Sequence, residues 1–167
     1  MKVLILGNIA SGKTTLAKRL SDYYNIDYYE LDKIVHDDSN NTKRDNNEQR
    51  KIISKILKNE DYIIEGMLRD NYDLIVPKVS SIIFLDYDIK VLRKRLRKRY
   101  LLQRIGLYKS DYKIDKELYK KLVYYLDNYD KSFINDVMNK YPSKLIIIKN
   151  NKELRKLFKA LDERFEL

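Results

Sequence analysis

The sequence predicts an α/β fold: a five-stranded parallel sheet with helices on both faces. Three observations carry that expectation. Short apolar runs alternate with longer stretches of helical spacing along the chain. The apolar runs are nearly continuous, as in parallel strands buried on both sides. A glycine-bearing turn joins the first run to the first helical stretch, at the kind of strand end where open parallel sheets bind ligands.

Each element follows from its own pattern. Val3-Leu4-Ile5-Leu6 is the first strand, and Leu16, Ala17 and Leu20 mark one face of the helix after the turn. Asp27 to Leu31 reads as a second strand. Asp45-Asn46-Asn47-Glu48 resembles a capping box, ahead of Ile52, Ile53, Ile56 and Leu57 at helical spacing. Tyr62-Ile63-Ile64, Ser81 to Leu85 and Leu145 to Ile148 are strands three, four and five. Long helical patterns fill 88–105 and 115–140, and a last helix carries Leu154, Leu157, Phe158 and Leu161. Prolines occur only at 77 and 142, and neither a linker nor an internal repeat is visible. The chain therefore reads as a single domain over 1–167, with 100–140 as a lid or helical insertion.

Composition removes several function classes. A chain of 167 residues, 44% hydrophobic and 36% charged, is neither disordered nor fibrous. With no cysteine there is no disulfide scaffold, thiolate metal site or cysteine nucleophile. A single histidine, His36, excludes a histidine-rich metal centre and argues against a Ser-His-Asp triad. No apolar run approaches the roughly 20 residues of a membrane-spanning helix, and the apolar run near Met1 is too short for a secretory signal. A cytoplasmic location is the expectation. The net charge of +10 favours anionic partners such as nucleotides, with nucleic acid possible but not read by sequence, since no helix-turn-helix or zinc finger is evident. Either a monomer or a homodimer is compatible with the chain.

The most specific signal is Gly7-Asn8-Ile9-Ala10-Ser11-Gly12-Lys13-Thr14, which fits G-x-x-x-x-G-K-[ST] at every fixed position, between a buried strand and an amphipathic helix. Its glycines let the backbone wrap and aim N–H groups inward, and the next helix offers its positive end to a phosphate. Lys13 then carries charge to the β- and γ-phosphates, Thr14 can hold Mg²⁺, and Thr15 extends the nucleotide-binding set. The N-K-x-D guanine signature is missing, because Asn139-Lys140-Tyr141-Pro142 lacks the Asp. A compact chain of this kind fits the nucleotide and small-molecule kinases best.

Acidic and basic residues at the other strand ends complete the picture. Asp32 follows strand two, where a carboxylate can accept a hydroxyl proton or anchor metal-bound water. Glu65 ends strand three after apolar residues, which places an acid near Mg²⁺. Arg95 and Arg99 lie four apart on one helix side, suited to gripping phosphoryl oxygens, with Arg93 and Arg97 facing solvent. Arg44 is a further acceptor-contact candidate, and Asp86 is read as structural.

The loop together with Glu30-Leu31-Asp32-Lys33-Ile34-Val35, Ile63-Ile64-Glu65-Gly66, Phe84-Leu85-Asp86 and Lys98-Arg99-Tyr100-Leu101-Leu102-Gln103-Arg104 resembles the adenylate-kinase-related proteins known as DNA topology modulation (FlaR-related) proteins. The resemblance covers residues 1–110. It implies a nucleoside-monophosphate-kinase-like P-loop fold with strand order 2-3-1-4-5 and ATP with Mg²⁺ as cofactors. It also implies that Arg95 and Arg99 open a lid, that Arg69 grips an acceptor phosphate, and that Asn150 brackets the adenine. The expected function is transfer of the γ-phosphoryl of ATP to a nucleotide, nucleoside or hydroxyl-bearing metabolite. The competing expectation is an ATP-binding regulatory or DNA-associated protein without a dedicated acceptor.

Overall fold

The computed structural model describes residues 1–37, 42–67, 71–108 and 112–166. In chain order the elements are β1 (Lys2–Gly7), α1 (Lys13–Tyr24), β2 (Tyr28–Glu30), α2 (Leu31–Val35), β3 (His36–Asp37), β4 (Thr42–Lys43), α3 (Asn46–Ile56), β5 (Tyr62–Gly66) and α4 (Tyr72–Ile75). They continue with β6 (Ser81–Leu85), α5 (Ile89–Arg104), α6 (Lys116–Asp127), α7 (Ser132–Lys140), β7 (Leu145–Ile148) and α8 (Asn151–Phe165). The main sheet is parallel, in the order β2-β5-β1-β6-β7. With the antiparallel β3–β4 hairpin set aside, this is the 2-3-1-4-5 order that the resemblance implies.

Alternation along the strands divides the apolar residues between two cores. Val3, Ile5, Ile63, Ile83 and Leu85 face α1, α5, α6 and α8, where they meet Leu16, Leu20, Leu92, Leu96, Leu126 and Leu157. Leu4, Leu6, Ile64, Ile82 and Phe84 face the other way, toward Ile34, Ile53, Ile75, Ile134 and Val137 of α2, α3, α4 and α7. Each such side chain contributes about 1.5–3 kcal/mol when fully buried.

This two-sided arrangement corrects the single helical pattern expected over 115–140. That stretch forms two helices, with residues 128–131 between them. Leu126 of α6 belongs to one core and Ile134 of α7 to the other, so the chain must cross from one face of the sheet to the other. One straight helix cannot serve both faces. Local polar chemistry makes the break: Asp130 accepts from the Ser132 N–H at 2.7 Å. Lys131, at the start of α7, pairs with Asp86 at the end of β6.

Caps behave as the sequence suggests. Asp45 accepts from the Glu48 N–H at 2.9 Å and so begins α3, a contact worth about 1 kcal/mol. Among the described residues no helix is long and apolar enough to cross a membrane.

Candidate active site

The register brings the important strand ends together. Glu30 lies opposite Glu65, Ile5 lies beside Glu65, and Leu6 lies beside Gly66. The loop after β1 therefore begins where β2 and β5 deliver their acidic residues. Gly66 is required by close packing as well as by its φ of 156°, because a Cβ there would stand 2.7 Å from the Leu31 Cβ. That contact keeps the start of α2, and hence Asp32, next to the end of β5.

The loop turns through positive φ at Ala10 (59°) and Gly12 (100°). Gly12 is the N-cap of α1 and supplies no side-chain cap, so the first amides of the helix are left for an anion. A Cβ on Gly12 would meet nothing within 4 Å, so the space over the loop is open. Ser11 Oγ is buried without a hydrogen-bond partner among the described residues. An open cradle, uncapped amides and an orphaned hydroxyl suit a phosphate chain.

Lys13 Nζ donates to the Asn8 carbonyl at 3.1 Å. Burial pulls its ammonium below the usual lysine range, Glu65 and Asp32 oppose that shift, and Arg99 adds to it. Glu65 is 4% exposed. Burial raises its carboxyl, against the Thr14 hydrogen bond and Lys13, while Glu30 and Asp32 push it further up. Thr14 Oγ1 donates to the Glu65 carboxylate. Five expected site residues thus share one electrostatic neighbourhood: Lys13, Thr14, Asp32, Glu65 and Arg99.

Arg95 sits beside the loop. Its Nη1 donates to the Ser11 carbonyl at 3.0 Å, its Nη2 reaches Asn151 Oδ1 at 3.3 Å, and its guanidinium lies 4.1 Å from the Tyr87 ring centre. The Tyr87 hydroxyl donates to the same Asn151 oxygen at 3.1 Å. Arg99 bonds the Tyr112 hydroxyl and stacks 4.9 Å from that ring, and its Nε is buried without a hydrogen-bond partner among the described residues. That orphaned donor faces the same demand as Ser11 Oγ: an acceptor from outside the chain would satisfy it.

Other expected residues are engaged elsewhere. Arg44 Nη1 donates to the carbonyls of Lys33, Ile34 and His36 at 2.7, 3.1 and 3.0 Å, which ties down the end of α2. Arg44 also pairs with Asp37 at 3.4 Å. The Asn150 side chain caps α8 by accepting from the N–H groups of Lys152 and Glu153, each at 3.0 Å. Its Nδ2 donates to Glu153 Oε1 at 2.7 Å and its carbonyl accepts from the Leu154 N–H at 3.0 Å, so both its amide and its carbonyl are engaged within α8. Asn8 is buried with its side chain turned from the loop opening, Ile9 and Ala10 pack on the first core, Gly7 ends β1, and Thr15 is exposed. Arg69 lies outside the described residues.

Sequence reasoning missed Glu30, Tyr87, Tyr112 and Asn151. Glu30 had a signal, since it ends the strand that immediately precedes Asp32, and the register then sets it opposite Glu65. The other three reach the site through partners 8 to 56 positions from the arginines they touch, for which the sequence carries no local signal.

The whole chain superimposes on solved kinases. A shikimate kinase from Bacteroides thetaiotaomicron aligns with a TM-score of 0.58 at 18% identity, over 99% of this chain and 98% of that one. The fold is that of the P-loop kinases. A sugar kinase from Janibacter sp. HTCC2649 aligns with a TM-score of 0.54 at 15% identity, over 96% and 93% of the two chains. A gluconokinase from Sinorhizobium meliloti 1021 gives 0.52 at 12% identity, over 96% and 94%. No protein-family model matches the sequence, and neither does any curated protein.

Proposed function

We propose that the chain is an ATP-dependent phosphotransferase that moves the γ-phosphoryl group to a small acceptor: a nucleotide, a nucleoside or a hydroxyl-bearing metabolite. The observation that carries this reading is the convergence of Lys13, Thr14, Asp32, Glu65 and Arg99 at the mouth of a preformed phosphate loop. In this reading the chain works as one domain, with 100–140 supplying Tyr112 and the two helices that follow.

Lys13 and the uncapped amides of α1 bind the β- and γ-phosphoryl oxygens. Thr14 Oγ1 and the Glu65 carboxylate would hold Mg²⁺, which when bound neutralises charge on those oxygens. Asp32 accepts the proton of the acceptor hydroxyl as its oxygen bonds to the γ-phosphorus and the bond to the ADP oxygen breaks. Arg99 donates to the equatorial oxygens, where a planar guanidinium fits the developing charge. Arg95 braces the loop through the Ser11 carbonyl. The similar structures bear the names of kinases for shikimate, a sugar and gluconate, which supports a hydroxyl as the accepting group.

The test has two stages. With nucleotide at about 100 times its Kd, Mg-ATP raises Tm by about 5–10 °C, and Lys13→Ala abolishes the rise. ADP release against a panel of nucleotides, nucleosides and hydroxyl metabolites then exceeds the blank without acceptor for one class. An unchanged Tm would sink the proposal. A Tm rise with no acceptor-dependent ADP would favour a nucleotide-gated switch.

A further inference from the structure

The second residue of the phosphate loop faces away from the cradle. Asn8 is 5% exposed, and its Nδ2 donates to the Leu126 carbonyl at 2.8 Å, across 118 positions of sequence. Leu126 lies in the last turn of α6, where carbonyls have no partner further along the helix. Its side chain is buried in the first core, so the carbonyl is held in place from below. Arg93 of α5 secures the same helix end through Asp127 at 2.9 Å.

Both oxygens of Asn8 are committed as well. Its Oδ1 accepts from the Ile9 N–H at 2.6 Å. Its main-chain carbonyl accepts from the Ser11 N–H at 3.2 Å and from Lys13 Nζ at 3.1 Å. One residue therefore joins the end of α6, the turn of the loop and the ammonium group. The loop needs such support, because Ala10 holds a φ of 59° without being glycine, a conformation that persists only when its surroundings enforce it.

We infer that Asn8 is a positioning residue: its amide anchors the phosphate loop to the C-terminal end of α6, and this fixes the carbonyl on which Lys13 rests. The consequence for ligands rests on the phosphotransferase reading, whereas the anchoring itself does not. Without the amide, the Leu126 carbonyl is buried with no donor and the loop loses its hydrogen bond to the end of α6.

The experiment compares wild type, Asn8→Ala, Asn8→Ser and Asn8→Gln as full chains, by amide hydrogen exchange and by ATP calorimetry. In Asn8→Ala the Ser11 amide, bonded to the Asn8 carbonyl, exchanges about tenfold faster, with β1 and β6 unchanged. ATP affinity falls about tenfold, the size of one lost buried hydrogen bond. Asn8→Gln keeps the donor and recovers part of both losses. Asn8→Ser is too short to reach Leu126 and carries the comparison if the alanine chain does not fold. Loop exchange within about twofold of wild type overturns the inference, as does faster exchange spread evenly through the sheet. If the wild type itself shows no ATP heat, the phosphotransferase reading fails while the exchange data still decide the role of Asn8.

Discussion

On α5, Arg95 and Arg99 point toward the phosphate loop, whereas Arg93 and Arg97 line the outer seam with α6, beside Tyr119 and Val123. Residue type and four-residue spacing are the same in both pairs. What separates them is rotation: each residue turns the helix by about 100°, and Leu92 and Leu96 bury a third direction. The inner guanidiniums stack on Tyr87 and Tyr112 and bond groups of the site. The outer two are exposed, and Arg93 spends its charge on Asp127. A count of arginines therefore says little about a helix, while their angle to the apolar stripe says a good deal.

The strongest way to break the contrast is Arg99→Ala. Turnover falls about 10²–10³-fold with Tm little changed, measured by steady-state kinetics and melting. Glu65→Gln sharpens the same site from the other side of Lys13. Burial holds the Glu65 proton above the ordinary value of 4.5, so the folded chain binds it more tightly than the unfolded chain does. Ionising it costs stability as pH rises through the folded pKa. The glutamine chain therefore melts higher at pH 8, by about 2–4 °C for each kcal/mol recovered, and loses that advantage in acid, while turnover collapses. Arg95→Ala acts on both properties: Tm drops by about 2–6 °C as the Tyr87 stack and the Ser11 bond are lost, and nucleotide affinity weakens. Arg97→Ala is the smallest, within about 0.5 kcal/mol of wild type and with unchanged kinetics. A large effect there would erase the distinction between the two sides.

The strands, the loop and the inner arginine stripe were legible because each repeats a local rule: apolar continuity, fixed glycine spacing, or i to i+4 register. Asp32 and Glu65 were legible from their places at strand ends. The β3–β4 hairpin was not, since two-residue strands at His36–Asp37 and Thr42–Lys43 carry no period. The division between α6 and α7 was hidden because both halves keep helical spacing, and only the assembled sheet shows that Leu126 and Ile134 belong to opposite faces. Arg44 and Asn150 were plausible ligand contacts by position, but their side chains close helix ends, a competition that residue type alone cannot resolve.

Gly66 has a consequence for how this cleft can change. The segments that carry Glu65 and Asp32 touch through a hydrogen atom where any other residue would place a methyl group 2.7 Å from Leu31. The mouth of the site thus has a built-in spacer of the smallest possible size. Any larger residue at this position would act in one coarse step, levering α2 outward and carrying Asp32 away from Glu65 and Lys13.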